Sequence, residues 1–254
     1  MNKKPVYYMQ TDPRWAHLPY QTVGEETTIR GSGCGPTCAA MLIETLTGQT
    51  FTPVDACGWS LAHGYKAKNQ GTYYSYFAPQ FDAFGIHCIQ LNYSSVYGKT
   101  DTPVHKEMID LLTDGWYIIA CMGPGNWTRS GHYVVVWSTE GRYVNILDPA
   151  SKRIDRLCAD FDTFRSQVKY YWAIDARDYN QEDITDMTEN ELRALIRDEY
   201  NKMMAEKDEL PASDWAEALL AEAVDSHITD GTRPQANATR EQVALMVLAA
   251  TRKD

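Results

Sequence analysis

The sequence has little that would suit a membrane, a nucleic acid or a zinc ion. No stretch approaches the ~18 apolar residues of a membrane-spanning helix, so we expect no integral membrane segment. The formal net charge of −10 argues against a nucleic acid as a partner. None of the six cysteines forms a CxxC pair or a Cys/His cluster with zinc-finger spacing. We therefore predict no metal site and no cofactor.

The sequence also lacks the features of a signal peptide. The segment MNKKPVYYMQ has two lysines but no apolar run behind them, so we expect the protein to be made in the cytoplasm without a signal peptide. A domain of this size does not depend on disulfides, and we expect none. Hydrophobic residues make up 44% of the chain, which is enough for a folded core.

Charge is unevenly distributed along the 254 residues. Residues 181–254 contain 17 acidic and 8 basic residues, whereas the rest of the chain contains 17 and 16. The negative charge therefore lies almost wholly in the last third, which favours two modules. We predict one α+β domain at residues 1–179 and a small helical domain at 186–254, separated by a polar stretch.

The order of the predicted elements favours the α+β class, with a helix first and an antiparallel sheet after it. The first clear helix covers residues 35–47, because Pro36 suits a first helical position and Gly48 suits the stop. Residues 132–137 and 143–147 are β-rich and form a predicted hairpin. Further helices are predicted at residues 73–84, 105–113 and 162–167, and further strands at 116–122 and 170–174.

Three helices are predicted in the C-terminal module, each opened by a polar cap. The caps and their helices are Thr188 with Glu191 for a helix to about residue 207, Ser213 for residues 214–225, and Thr239 with Gln242 for residues 240–252. In the last helix we expect Val243, Met246 and Val247 to face a small core. The alternative to a binding module is a plain helical bundle used for stability or self-association.

The motif GSGCGPT at residues 31–37 is typical of a nucleophile at the start of a helix. A helix amino end carries about +0.5 charge, which stabilises a thiolate at Cys34. Glycines such as Gly33 let the backbone approach a substrate closely, and the free N–H of Cys34 can bind an oxyanion. The alternative is a buried structural cysteine in a tight turn. Cys38 lies one turn into the helix, where we expect it to pack.

A cysteine nucleophile needs a base and a residue that orients the base. His132 opens one strand of the predicted hairpin and Asp148 ends the other, so antiparallel pairing brings the imidazole and the carboxylate together. The alternative is an edge histidine and a turn aspartate that precedes Pro149. Gly131, Asn126 and Trp127 come just before the base, so they either line the substrate cleft or are ordinary loop residues.

The segments GSGCGPTCAAM, SGHYVVVW and ILDPA resemble, in this order and spacing, the bacteriocin-processing (double-glycine leader peptidase-like) family of papain-like cysteine peptidases. The resemblance covers residues 7–172 and is nearer to free-standing relatives than to transporter-linked ones. It implies a papain-like fold with the catalytic residues Cys34, His132 and Asp148. It also implies that Gln10, in YMQTDPRW, helps to form the oxyanion hole, although Gln10 lies 24 residues before Cys34.

The C-terminal segment ITDGTRPQANATREQVALMVLAATRK resembles the wall-binding modules of phage cell-wall hydrolases. Together the two resemblances imply a phage or prophage endolysin that cleaves amide bonds in peptidoglycan and reaches the bacterial cell wall after holin-type release. Two alternatives stay open, an intracellular peptidase that removes leader peptides and a non-catalytic wall-binding protein. The C-terminal helices are also candidates for homo-oligomer contacts.

Overall fold

The computed structural model describes residues 2–180, 189–213, 216–232, 234–235 and 240–251. Two compact units divide the chain, Met1–Glu182 and Asp183–Asp254. Among the helices within these described ranges, none is both long and apolar enough to cross a membrane.

A six-stranded sheet occupies the centre of the first unit as described. Its spatial order is β1-β6-β2-β3-β4-β5, and neighbouring strands pair in the antiparallel sense. The α+β prediction is therefore confirmed. The strands are Cys88–Gln90 (β1), Tyr117–Met122 (β2), His132–Glu140 (β3), Tyr143–Leu147 (β4), Cys158–Asp160 (β5) and Val168–Ile174 (β6).

Helices cover both faces of this sheet. Every residue of β2 is buried, because its side chains point alternately to two hydrophobic layers. Ile119 belongs to the layer beneath α2, and Ile118 belongs to the opposite layer with α5. The helices are Ile29–Ser32 (α1), Cys34–Thr47 (α2), Pro53–Ala62 (α3), Phe77–Asp82 (α4), Pro103–Thr113 (α5), Ile154–Leu157 (α6), Phe161–Gln167 (α7) and Arg177–Asn180 (α8).

Helix α2 is the element that carries the Gly-Cys-Gly-Pro motif. It begins at Cys34, one residue earlier than predicted, with Gly33 as its N-cap. Pro36 is therefore the third helical residue, where its missing N–H still costs no helical hydrogen bond. Gly48 ends the helix as predicted, in the left-handed conformation with φ 67°, which glycine adopts without steric cost. The helix is almost wholly buried, so its first residue is held rigidly.

The predicted hairpin is present as β3 and β4, which pair from Glu140↔Tyr143 to Val135↔Leu147 with one irregularity. Strand β3 extends to Glu140, three residues beyond the prediction. Helix α3 was not predicted, although a capping box of Thr52 and Asp55 opens it.

The second unit contains three helices in its described residues, Glu189–Asp208 (α9), Glu217–Asp225 (α10) and Arg240–Thr251 (α11). The predicted caps Thr188 and Thr239 lie outside the described residues. The predicted Ser213 cap adjoins residues 214 and 215, which also lie outside the described residues; in the described part α10 begins at Glu217, and the Ser213 carbonyl accepts from the N–H groups of Ala216 and Glu217.

The predicted inward face of α11 is also wrong for two residues, Val243 and Val247, which are 48% and 58% exposed. Met246 lies outside the described side chains. Several other large apolar side chains of this unit are exposed, among them Leu219 and Leu245.

We predict that Val135→Ala lowers the free energy of unfolding of the first unit by about 2–3 kcal/mol, since it leaves a cavity in the layer beneath α2. Val135 is fully buried. The matched control is Val23→Ala, at a side chain that is 95% exposed, which we expect to change stability by less than about 0.5 kcal/mol. Urea unfolding measures both, and equal effects would contradict this packing.

Candidate active site

The Cys34 side chain lies at the amino end of α2 and faces a solvent-accessible cavity of about 440 Å³. The residue is 9% exposed. A Cβ atom at Gly33 would lie 2.6 Å from the carbonyl oxygen of Ile29, so only glycine fits the close approach of α1 to this helix start. The first N–H groups of a helix have no partner within the helix, which leaves them available to a bound substrate.

His132 and Asp148 meet across the hairpin, as predicted. His132 is the first residue of β3, and Asp148 follows the last residue of β4. The imidazole Nε2 lies 2.8 Å from Asp148 Oδ1. Because the carboxylate occupies Nε2, the other ring nitrogen, Nδ1, is the one available to Cys34.

Cys34 and His132 form a hydrogen-bonded pair whose pKa values move in opposite directions. Burial raises the pKa of Cys34, but the hydrogen bond and charge of His132, together with the backbone of Tyr133 and Gly35, bring it below its ordinary value. Burial lowers the pKa of His132, but contacts with Asp148 and Cys34 raise it to about 9. Their contact therefore favours the thiolate and the imidazolium over the neutral thiol and imidazole, relative to the same two groups free in water.

Asp148 is fully buried and is held by groups from three segments. Its Oδ1 accepts a second hydrogen bond, from the backbone N–H of Ala150 at 2.8 Å. The Tyr7 hydroxyl donates to the backbone carbonyl of Asp148 at 2.7 Å. These contacts fix the carboxylate in the orientation that binds His132.

Arg156, on the short helix α6, contacts the outer oxygen of Asp148 and was not predicted. Its Nη2 lies 2.5 Å from Asp148 Oδ2. The contact is an ion pair rather than a directed hydrogen bond, since Oδ2 has no partner with hydrogen-bond geometry in the described structure. The same Nη2 donates to the carbonyl of Trp127 at 2.6 Å. Arg156 thereby joins the orienting carboxylate to the loop before His132.

Gln10 is buried and is tied to both sides of the site. Its backbone N–H donates to the carbonyl of Pro149 at 2.8 Å, and its Nε2 donates to the carbonyl of Arg30 at 2.6 Å. Its Oε1 has no hydrogen-bond partner among the described residues. The described side-chain hydrogen bond thus reaches the segment before Cys34 rather than Cys34 itself, and the oxyanion role stays a prediction.

The other predicted binding residues occupy different environments. Gly131 lines the cavity beside His132. Asn126 is exposed, and its backbone N–H is bound by Gln167 Oε1 at 2.6 Å. Trp127 is 3% exposed, and its ring nitrogen donates to the carbonyl of Arg156 at 3.0 Å. The Trp127 side chain therefore packs inside the domain and supports the loop. Gly33 is the N-cap of α2 and allows the close approach of α1.

The cavity is lined by residues that the sequence pattern did not mark. Cys121 and Lys169 lie in its wall, and the Tyr74 hydroxyl donates to the Cys121 sulfur. Burial raises the pKa of Cys38 well above its ordinary value, so Cys38 is a neutral core residue as predicted. Among the described residues, no group of three or more His, Cys, Asp and Glu side chains is arranged to hold a metal ion.

A family model described as the peptidase C39-like family matches residues 6–198, more than half of the chain. The chain belongs to the peptidase C39-like family. It is therefore a cysteine peptidase, and the expectation of a papain-like arrangement is confirmed, with a helix that begins at Cys34 packed on an antiparallel sheet. A search of curated proteins found no match.

Two solved structures are similar to this C39-like peptidase. A C39-like peptidase from Bacillus anthracis is 13% identical with a TM-score of 0.43, and the alignment covers 68% of this chain and 98% of that one. The peptidase domain of Streptococcus ComA, a bifunctional ABC transporter involved in quorum sensing, is 18% identical with a TM-score of 0.41. That alignment covers 56% of this chain and 90% of the domain.

We predict that the His132 imidazole, followed by NMR, titrates with a midpoint near pH 9. Both interactions with Cys34 raise the pKa of His132, so Cys34→Ala should lower the midpoint by about one unit or more. Cys38→Ala is the matched control, because Cys38 does not contribute to the His132 shift, and the midpoint should stay in place. A midpoint that is the same in Cys34→Ala and in the unaltered protein would exclude the pair.

We predict that Arg156→Met destabilises the first unit by about 3 kcal/mol, since it leaves one oxygen of the buried Asp148 carboxylate without its cationic partner. It should also slow peptide hydrolysis at least about tenfold by loosening the His132 orientation. Arg153→Met is the matched control, because the Arg153 pair with Asp155 is exposed and contributes at most about 1 kcal/mol. Urea unfolding and steady-state kinetics measure the two effects, and equal behaviour of both variants would refute the role of Arg156.

Proposed function

We propose that this peptidase cleaves amide bonds in bacterial peptidoglycan, as a phage or prophage endolysin, with Cys34 as nucleophile and His132 as general base. The observation that carries the chemistry is the chain of contacts from Cys34 through His132 to Asp148 at the wall of an open cavity. The target is supported by the resemblance of the C-terminal segment to wall-binding modules.

In the proposed reaction the Cys34 thiolate attacks the carbonyl carbon of the scissile amide. A C–S bond forms, and the electron pair of the carbonyl moves to its oxygen. The N–H at the start of α2 stabilises this oxyanion, and Gln10 is the proposed second donor; one such donor typically contributes about 2.7–4 kcal/mol.

The tetrahedral intermediate then collapses and expels the amine, which takes its proton from the His132 imidazolium. The neutral imidazole next removes a proton from a water molecule, whose oxygen attacks the thioester carbon. The carboxylic acid leaves and the Cys34–His132 pair is restored. Asp148 accepts a hydrogen bond from Nε2 throughout, so Nδ1 always faces the sulfur.

The C-terminal unit supports a role in binding a large partner. Large apolar side chains of this unit are exposed, among them Leu219 and Leu245, and are therefore accessible to a partner. Asp230 accepts hydrogen bonds from the N–H and hydroxyl of Thr232, which fix the local conformation of the Asp-Gly-Thr segment. We propose that this unit binds the cell wall, with self-association of its helices as the competing role, and that holin-type release brings the enzyme to its substrate.

We predict that the full chain clears a suspension of purified cell walls and that Cys34→Ala loses this activity by roughly 10³-fold or more while still sedimenting with the walls. Cys38→Ala, one turn further along α2, is the matched control and should keep clearing, because Cys38 is a neutral packing residue. Mass spectrometry of the released fragments identifies the cleaved bond.

Three other results would overturn parts of this proposal. Unchanged clearing by Cys34→Ala would eliminate the cysteine mechanism. Absence of wall cleavage, together with Cys34-dependent cutting after a Gly-Gly pair in a synthetic leader peptide, would favour the leader-peptidase alternative. A Cys34→Ala protein that stays in the supernatant would leave the C-terminal unit with the self-association role.

A further inference from the structure

Lys169 lies at a break in the regular pairing of two central strands. Strand β6 pairs with β2 at Tyr170↔Cys121 and next at Val168↔Met122, so Lys169 is the extra residue of a β-bulge. Bulges re-aim a side chain, and they are frequent beside active sites. The carbonyl of Lys169 accepts hydrogen bonds from the N–H of Val96 at 3.1 Å and from Asn92 Nδ2 at 2.9 Å. These two contacts hold the bulge in place.

The bulge changes the face of the sheet to which Lys169 belongs. Tyr170 and Trp172 contact the layer beneath α2, whereas Tyr171 and Ala173 belong to the opposite layer. Strict alternation would place residue 168 with Tyr170 and residue 169 with Tyr171. Val168 instead packs in the same layer as Tyr171, and Lys169 lines the catalytic cavity. The irregularity therefore turns a lysine towards the site.

The ammonium group of Lys169 lies beside the two residues that precede the catalytic histidine. Its Nζ is 3.3 Å from the carbonyl oxygen of Ser130 and 3.5 Å from the position of a Cβ at Gly131, the residue before His132. Lys169 also influences the thiol of Cys121. Burial raises the pKa of Cys121 to about 12, and the positive charge of Lys169 opposes that rise. Lys169 forms no ion pair with a carboxylate in the described part of the chain.

Lys169 also sets the charge of the cavity. Among the described residues that line it, Lys169 is the one Lys, Arg, Asp or Glu, and the other polar groups are amides, hydroxyls, the Cys121 thiol and the catalytic pair. A cation in a recess with low-dielectric walls attracts an anion more strongly than the same cation on an open surface. A backbone carbonyl alone is a weak partner for an ammonium group.

We propose that Lys169 is a specificity-determining residue that binds a carboxylate of the substrate next to the amide bond that Cys34 attacks. The proposal rests on the proposed role of Cys34 as nucleophile but does not require peptidoglycan to be the substrate. The carboxylate belongs either to a chain terminus or to an acidic side chain, because both present the same charge and the same acceptor oxygens to Nζ.

The direct test compares two alkylating probes that differ in charge, iodoacetate and iodoacetamide, by mass spectrometry of the modified Cys34 peptide in the full-length protein. Lys169→Met should lower the ratio of the iodoacetate rate to the iodoacetamide rate roughly tenfold. Lys169→Arg keeps the charge and should keep the ratio. The matched control is Lys106→Met, which removes an exposed lysine paired with Asp110 far along the chain and should leave the ratio unchanged.

A ratio that is the same in Lys169→Met, in Lys106→Met and in the unaltered protein would overturn the proposal. If Lys169→Met does not fold, Lys169→Gln and Lys169→Arg decide the question in the same assay. If Lys169 only supported the backbone at Ser130, its replacement would slow both probes equally, whereas the loss of carboxylate binding slows iodoacetate alone.

A second arm uses purified walls before and after their free carboxyl groups are converted to amides. The unaltered enzyme should cleave native walls roughly tenfold faster than amidated walls, and Lys169→Met should cleave both at one rate. Mass spectrometry of the fragments that depend on Lys169 distinguishes a terminal carboxylate from a side-chain one. Uncleaved walls with an altered probe ratio would reject peptidoglycan as substrate and keep the carboxylate preference.

Discussion

The chemistry of this site depends on the contact between the Cys34 sulfur and the His132 ring. Both groups are buried, and burial by itself would leave a neutral thiol and a neutral imidazole, because each charged form loses its hydration. Their mutual hydrogen bond, the Asp148 carboxylate and the backbone around the sulfur outweigh that loss. The charged pair is stable only as long as all of these partners keep their positions, which is the condition that the fold satisfies.

The fold meets this condition with rigid elements rather than with long loops. Helix α2 is buried along most of its length, so its first residue cannot shift without disturbing the core. The β3–β4 hairpin fixes His132 relative to Asp148, and Tyr7 and Arg156 hold Asp148 from two other segments. The wall of the adjoining cavity includes Lys169, which the bulge in β6 turns towards Cys34 and His132.

The parts of the site that local rules describe were predictable from sequence, and those that depend on distant contacts were not. The glycine-flanked Cys34 and the hairpin of His132 with Asp148 follow from turn, helix-start and pairing rules, and the structure brings all three residues together. Arg156 lies on a four-residue helix without periodicity, and Lys169 depends on a register shift that no alternation pattern shows. Helix α3 did have a usable signal, the capping box in Thr-Pro-Val-Asp.

The proposed chemistry depends on Cys34 being a thiolate paired with the His132 imidazolium. The most direct measurement is the pH titration of thiolate absorbance in the ultraviolet, taken as the difference between the unaltered protein and Cys34→Ser so that the other cysteines cancel. We expect the Cys34 thiolate to form below the ordinary thiol pKa of about 8.5. A difference signal that develops only at or above that value would contradict it.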